Sequence, residues 1–212
     1  MATLTLENLL TMSSGYYDYY GYPVWVSATT QQLVWMPYVN PGVFFYNNSA
    51  CHLNAHAIYY GTGMTPKEYA EINLFPYLGI ENPEWLSGYN DINDGSASLT
   101  LNLRDMVKLG QLYLQDGYSG NNQILSSEWI NEAISLQINT GVDILPGYGY
   151  LWWLPSEEGY LAIGFGGQFI AVFPERNLVV GTHSNISSTE LYQQQLFHYI
   201  SDNIASLFEN NN

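Results

Sequence analysis

Positively charged residues are scarce in this sequence. Lysine and arginine together number 4 against 19 aspartates and glutamates, which gives a formal net charge of −15. Charged residues make up only 11% of the chain, so the acidity reflects missing cations more than abundant carboxylates. Four cations cannot build the basic surface that binds nucleic-acid phosphates or an anionic membrane. We therefore expect no nucleic-acid partner.

Cysteine and the signatures of several common sites are also missing. Cys51 is the single cysteine, which excludes an internal disulfide and a zinc site built from cysteines. Neither Lys67 nor Lys108 follows a glycine as in a phosphate-binding loop, and no serine has the glycine spacing of a nucleophile elbow. The first ten residues do not predict a signal peptide, and no stretch has the length of a membrane span. The compartment stays unknown.

Hydrophobic residues, in contrast, make up 47% of the 212 residues, and aromatic residues 16%. Such a chain buries a sizeable core and is not disordered. Its length suits one domain. The aromatic rings can line a cleft, but core packing explains the same composition.

Helix signals dominate the first 140 residues. Thr65 precedes Pro66 and has Glu68 three residues later, which is the pattern of a capping box at a helix start. We predict further helices at about 6–13, 48–60, 102–115 and from 126 to before Gly141, with irregular segments at 16–40 and 81–98.

Strand signals follow. Short apolar runs rich in aromatic and β-branched residues alternate with turns, which predicts an antiparallel meander with strands at 148–154, 159–163, 168–173 and 178–183. Ser187, with Glu190 three residues later, indicates a capping box before a last helix that packs on the sheet. The sum is an α+β fold, with a mainly helical region over about 1–140 and the strands plus the C-terminal helix over about 141–212.

Two histidines four residues apart, His52 and His56, could place two metal ligands on one helix face. The zinc-protease form of this spacing has a glutamate after the first histidine, whereas Leu53 stands here. Histidines on amphipathic helices usually have structural roles. We therefore predict no metal site.

Six segments in order resemble the β-lactamase-related serine hydrolases, a family that includes the penicillin-binding proteins. They are LENLLTMSSG (6–15), PGVFFYNNSACHL (41–53), LFPYLGIENPEW (74–85), LRDMVKLGQLYLQDG (103–117), GYGYLWW (147–153) and GFGGQFIAVFPERNLVV (164–180). The Gly-Gly-Gln of the last segment is most similar to the branch of esterases and amidases related to nylon-oligomer hydrolases. The resemblance implies a β-lactamase/transpeptidase-like fold, present over residues 1–212 as a single partial domain, truncated at its N-terminus.

The resemblance also implies a chemistry. In this family a serine attacks an ester or amide carbonyl and forms an acyl-enzyme, which needs a base and an oxyanion hole but no cofactor. Tyr46 and Asn48 match the Tyr-x-Asn motif, in which the phenol relays a proton and the amide holds the substrate carbonyl or orients the lysine. Without the resemblance, Tyr46 reads as a packed aromatic residue and Asn48 as a helix N-cap.

Gly164, Phe165 and Gly166 fall at the family's third motif. The resemblance makes the Phe165 N–H an oxyanion donor, and the glycines let a substrate approach the strand closely. Ala162 and Ile163 stand just before it, which argues against an anchor for the carboxylate of a β-lactam. Trp152 and Trp153 could wall the cleft. On an extended strand we expect one of the two rings, Trp152 or Trp153, to face the core and the other to face the opposite side.

The family's nucleophile motif, Ser-x-x-Lys, does not occur in these residues. Met64 stands three positions before Lys67, and Asp105 stands three positions before Lys108. We therefore expect the chain to be part of a longer product, to be inactive alone, and to expose apolar surface that favours self-association.

Two other functions stay open from the sequence. One is a non-catalytic relative that keeps the fold and binds a ligand or partner. The other is a hydrolase that uses a different serine with His183 or His52, although no local motif supports it. The main prediction remains acyl transfer on a small ester or amide whose identity cannot be read from the residues.

Overall fold

The fold is known from a computed structural model, which describes residues 4–16, 27–34, 41–184 and 190–208, without the side chains of 190–193. Contacts divide the chain into two compact units, residues 1–101 and residues 102–212. Each unit has a hydrophobic core of its own.

The first unit consists of short helices and one small sheet. Strands β1 (Glu84–Trp85) and β2 (Leu99–Thr100) pair antiparallel, with a 3₁₀ turn at Tyr89–Asp91 between them. Its core gathers around the N-terminal half of the longest helix, α3, where Ala50 and Leu53 pack with Leu9 and Leu33. The helices within its described residues are α1 (Leu6–Leu10), α2 (Thr30–Val34), α3 (Asn48–Thr62), α4 (Pro66–Asn73) and α5 (Phe75–Leu78).

The predicted capping box of α4 is confirmed. The Thr65 hydroxyl accepts a hydrogen bond from the Glu68 N–H, and the Glu68 carboxylate accepts one from the Thr65 N–H. Because these bonds favour the ionised form, they lower the pKa of the exposed Glu68 carboxyl below its usual value. The reciprocal bonds fix the start of the helix directly after α3 ends at Gly63, whose φ of 73° is left-handed.

The described part of the second unit combines helices, a hairpin and a six-stranded sheet. Its C-terminal helix continues beyond Tyr199 as a π turn at Ile200–Ile204 and a 3₁₀ turn at Ala205–Phe208. The other elements are α6 (Leu103–Leu114), β3 (Tyr118–Ser119), β4 (Asn122–Gln123), α7 (Ser127–Ala133), β5 (Ile138–Asn139), β6 (Gly147–Tyr148), β7 (Trp153–Leu154), β8 (Tyr160–Gly164), β9 (Gln168–Phe173), β10 (Leu178–Thr182) and α8 (Glu190–Tyr199).

The predicted antiparallel meander is confirmed. Each strand from β5 to β10 pairs with its neighbour in sequence, so the sheet order follows the chain. The two faces of the sheet carry different partners, because side chains alternate along a strand. Leu161 and Phe169 pack with Phe197 of α8 on one face. Ile170 packs with Met106 and other residues of α6 on the opposite face.

Helix α6 lies very close to the sheet because Gly110 has no side chain. A Cβ atom at Gly110 would lie 2.6 Å from Ile170 Cγ2 and 2.7 Å from Val179 Cγ1. Gly181 of β10 plays the matching role, since a Cβ there would lie 2.5 Å from Val107 Cγ1. Two glycines on facing elements therefore set the distance between helix and sheet.

Several predicted boundaries are wrong. Helix α1 ends at Leu10, because Met12 adopts a left-handed φ of 54°. The segment 16–40 is not wholly irregular, since α2 lies inside it, while residues 17–26 and 35–40 lie outside the described residues. Ser187, the predicted cap of the last helix, also lies outside them.

Two predictions in the second unit, one of a helix and one of a strand, are also wrong. The helix predicted from residue 126 ends at Ala133, and β5 follows before Gly141. The strand predicted at 148–154 is two strands, because the Gly149 N–H donates to the Trp152 carbonyl and closes a turn between β6 and β7. Leu151 in that turn has a φ of 63°.

Three of the four cationic side chains are paired with carboxylates. Lys108 Nζ lies 2.7 Å from Asp105 Oδ1, and Arg176 Nε lies 2.8 Å from Glu158 Oε2. Lys67 Nζ lies 3.6 Å from Glu71 Oε1, one helical turn away. Among the described residues, no helix is long and apolar enough to cross a membrane.

Substituting Gly110 by alanine tests the contact between α6 and the sheet. We expect Gly110→Ala to lower the free energy of unfolding by about 1–3 kcal/mol, because a methyl group at that site overpacks two branched side chains. Urea unfolding followed by circular dichroism measures the change. Gly61→Ala in α3 is the matched control, since a Cβ there meets nothing within 4 Å. It should stabilise the helix by up to about 1 kcal/mol. Equal stabilities of the two variants would contradict this account of the packing.

Candidate active site

Tyr46 and Asn48 lie at the start of α3 in the first unit. The Tyr46 side chain is 43% exposed, so it is not the packed aromatic residue that the sequence alone would suggest. Asn48 is the first residue of α3, and the N-cap is the residue before it, Asn47. The structural roles that competed with the motif therefore do not fit the positions of Tyr46 and Asn48.

Asn47, the central residue of the motif, is fully buried. Its Oδ1 accepts a hydrogen bond from the Ala50 N–H at 2.7 Å and its Nδ2 donates to the Tyr16 carbonyl at 2.5 Å. The Phe45 N–H also donates to the Met12 carbonyl. These bonds hold the backbone on both sides of Tyr46. Sequence reasoning missed Asn47, although its place one residue before a helix was a signal for a cap.

Gly164, Phe165 and Gly166 lie at the tip of the β8–β9 hairpin in the second unit. Gly164 pairs with Gln168, which leaves a three-residue turn of Phe165, Gly166 and Gly167. The Phe165 side chain is 76% exposed, whereas both following glycines are buried and left-handed, with φ of 79° and 77°. The turn therefore presents an aromatic ring at one end of the sheet.

The side of the turn next to Gly164 is covered by a polar group. A Cβ at Gly164 would lie 2.7 Å from Gln168 Oε1. Glycine is therefore required for the Gln168 amide to lie over the strand. Among the described residues of this turn and its closing pair, 164–168, there is no charged side chain.

Trp153 lies on β7, opposite Leu161 of β8. Its ring packs edge-on against Tyr148 with centroids 4.9 Å apart and contacts the core on the α8 face of the sheet. Trp152 packs in the core on the α6 face. The two rings thus take opposite faces of the sheet as expected, but both pack against a core, so neither faces away from one. Trp153 as a wall of a substrate cleft stays a prediction.

His52 and His56 form a buried chain of hydrogen bonds. The Gly95 N–H points at His52 Nδ1 at 3.2 Å, the two Nε2 atoms are 3.2 Å apart, and His56 Nδ1 lies 2.6 Å from Thr30 Oγ1. A backbone N–H can only donate, so His52 accepts at Nδ1 and donates from Nε2. His56 then accepts at Nε2 and donates from Nδ1 to Thr30. Each ring donates once and accepts once in this arrangement.

This chain has a structural role and leaves little room for other chemistry. Burial, together with the neighbouring His52, lowers the pKa of His56 from 6.5 to about 4. Both nitrogens of the fully buried His52 ring are engaged, which argues against His52 as a base for another serine. Among the described residues, no group of three or more His, Cys, Asp or Glu side chains could hold a metal ion.

Comparison with known proteins gives one sequence match and many structural ones. The family model described as Beta-lactamase matches residues 2–202. A search of curated proteins finds no match. Among solved structures, a proposed 6-aminohexanoate-dimer hydrolase from Bacillus anthracis superposes with a TM-score of 0.79 at 23% identity over 97% of this chain. The octameric penicillin-binding protein homologue from Pyrococcus abyssi gives 0.71 at 19% identity over 98%.

A class C β-lactamase from Rhodobacter sphaeroides also superposes, with a TM-score of 0.63 at 17% identity over 93% of this chain and 73% of its own. At these identities the likeness shows the fold alone. This chain spans 61% of the length of the Bacillus anthracis protein and 56% of the Pyrococcus abyssi protein.

The buried histidines predict a stability that falls on mild acidification. Between pH 6.5 and about 4, His56 binds a proton in the unfolded chain but not in the folded one. Its contribution is therefore intact above pH 6.5 and is lost as the pH falls toward 4, with a total of roughly 3 kcal/mol for a shift of this size. Urea midpoints measured across this range report the loss.

The variant His56→Gln removes the titrating ring and should flatten this pH dependence, even though it weakens the fold at neutral pH. His198→Gln is the matched control, because His198 is exposed on α8. It should keep the wild-type pH dependence. If His56→Gln and the wild type lost stability in parallel over this range, the buried chain would not be the cause.

Proposed function

Since the chain belongs to the β-lactamase family, we propose that it carries the proton-relay and oxyanion segments of a serine hydrolase that acts on small neutral esters or amides. The observation that carries the proposal is the family match over residues 2–202, because it includes Tyr46, Asn48 and the turn at 164–167. No Ser-x-x-Lys sequence occurs within the 212 residues. The nucleophile must then come from outside them.

The proposed reaction is acyl transfer. A serine hydroxyl attacks the substrate carbonyl and loses its proton to a base, and the C–O or C–N bond to the leaving group breaks after that group takes a proton. Water then attacks the acyl-enzyme and releases the acid. The Phe165 N–H stabilises the negative oxygen of each tetrahedral intermediate. The Tyr46 phenol passes a proton to the leaving group, and Asn48 holds the substrate carbonyl or orients the base.

A neutral acyl group fits the turn better than an anionic one. Residues 164–168 carry no charge, and Ala162 and Ile163 precede them. Two of the cations in the second unit, Lys108 and Arg176, are paired with carboxylates. Residues 164–168 therefore offer no cationic anchor for a carboxylate such as that of a β-lactam. We therefore propose esters and amides without a carboxylate next to the reacting carbonyl.

The second candidate is a binding protein of the same fold without catalysis. The absence of Ser-x-x-Lys from these residues favours it. The exposed Tyr46, which directly precedes the buried Asn47, favours the enzyme, because a binding protein has no need for the Tyr-x-Asn motif.

Whether the chain is an enzyme or a binding protein, its exposed apolar side chains, among them Leu86 at 62% and Leu207 at 79%, support the earlier expectation of self-association. The Pyrococcus abyssi homologue is described as octameric, and light scattering would test this chain.

A fluorophosphonate probe tests the position of the nucleophile. Residues 1–212 should form no adduct in intact-mass analysis, because no activated serine is present. A stoichiometric adduct that disappears on denaturation would contradict the proposal and reveal a serine outside Ser-x-x-Lys. Peptide mapping would identify it.

A chimera tests the proposed roles directly. A segment carrying Ser-x-x-Lys from a β-lactamase-like hydrolase is fused before residue 1, and hydrolysis of 4-nitrophenyl butyrate is measured. Tyr46→Phe should lower kcat by roughly 10²–10⁴-fold through loss of proton transfer. Tyr60→Phe is the matched control, since Tyr60 is an exposed tyrosine of α3 outside the motif. Equal activity of the two variants would contradict the proton-transfer role of Tyr46, and a folded chimera that neither labels with the probe nor hydrolyses the ester would favour the binding protein.

A further inference from the structure

The glycine turn at the tip of β8–β9 is poorly suited to hold a fixed shape by itself. Two of its three residues are glycines in the left-handed conformation, and glycine loses more conformational freedom on ordering than other residues. The third residue, Phe165, is 76% exposed and so gives little packing. An oxyanion donor works only if it is held in place before the charge develops.

Two hydroxyl groups, one at the end of β10 and one just beyond it, hold this turn. Ser184 Oγ donates to the Gly166 carbonyl at 2.5 Å, and Thr182 Oγ1 donates to the Gly167 carbonyl at 2.9 Å. The partners are 18 and 15 positions apart in sequence. Consecutive carbonyls of the turn are therefore tied to β10 and to the chain that follows it.

The spacing of the two hydroxyls explains how both reach the turn. Thr182 is the last residue of β10 and pairs with Phe169. Ser184 follows two positions later, and alternate residues of an extended chain point to the same side. His183 between them is exposed. The turn carbonyls thus meet two hydroxyls on one side of an extended segment.

These bonds fix the second and third peptide planes after the one that carries the Phe165 N–H. The Gly166 carbonyl belongs to the peptide between Gly166 and Gly167, and the Gly167 carbonyl belongs to the next one. On the other side of the turn, the pairing of Gly164 with Gln168 fixes the end of β8. The peptide that carries the Phe165 N–H lies between these anchors, which limit how far it can move.

We propose that Thr182 and Ser184 are positioning residues, whose hydroxyls hold the glycine turn in the conformation in which the Phe165 N–H serves as an oxyanion donor. This inference rests on the proposed function for that N–H. It extends the site to two residues that touch neither the substrate nor the nucleophile. It also explains why a turn with two adjacent glycines can take part in catalysis.

Amide hydrogen exchange of ¹⁵N-labelled residues 1–212 tests the anchoring. Ser184→Ala and Thr182→Val should each speed exchange of the turn amides by roughly 5–10-fold, the effect expected for one lost hydrogen bond. Ser184→Thr and Thr182→Ser keep a hydroxyl and should restore slow exchange. Ser206→Ala is the matched control, because Ser206 Oγ also donates to a backbone carbonyl, that of Asp202, away from the turn. Exchange in Ser184→Ala equal to that in Ser206→Ala would overturn the proposal.

A ligand titration separates this inference from the function on which it rests. Acetanilide, a small neutral amide, is added to the wild type, and the Phe165 amide signal is followed. We expect a saturable shift, with a several-fold weaker Kd in Ser184→Ala. The absence of any shift in the wild type would overturn the oxyanion role itself. A shift with the same Kd in both proteins would overturn the positioning role alone.

Discussion

The contact between Gly110 and the branched side chains of β9 and β10 sets the geometry of the second unit. Because a helix can approach a sheet this closely only at residues without side chains, the paired glycines fix where α6 lies. Strands β9 and β10 then pack on α6 on one face and α8 on the other. Strand β9 is also one arm of the β8–β9 hairpin, so the turn of this hairpin follows directly from a strand that is packed on both faces.

The same principle operates in the first unit. A Cβ at Gly95 would lie 2.8 Å from the Cys51 carbonyl oxygen and 3.0 Å from Ala55 Cβ. The loop between β1 and β2 therefore lies directly on α3, and the Gly95 N–H can reach His52. Asn47 at the start of that helix and the histidine chain along it are both fully internal. The exposed Tyr46 is thus attached to a well-supported helix end.

The sequence predicted the element types well and their limits poorly. The capping pattern at Thr65 and the alternating strands near the C-terminus are local signals, and the structure confirms them. The turn at Gly149 was not predicted, because it depends on a backbone hydrogen bond and on a left-handed Leu151. Leucine rarely adopts this conformation, so the residue type gave no sign of a turn. The motif residues could be located by resemblance. Asn47 could have been found as a helix cap, because its bond to the Ala50 N–H is local. Thr182 and Ser184 act through contacts with distant carbonyls, so spacing alone could not reveal them.

The pairing of cations with carboxylates has a consequence for how ligands arrive. The chain has a net charge of −15, and three of its four Lys and Arg side chains form ion pairs with carboxylates. The electrostatic potential around the chain is therefore negative. Such a field slows the diffusional encounter with anions and leaves uncharged molecules unaffected. Selection against acidic ligands therefore begins before contact, in the association rate. Added salt, which shortens the range of the field, would weaken that selection without altering the site.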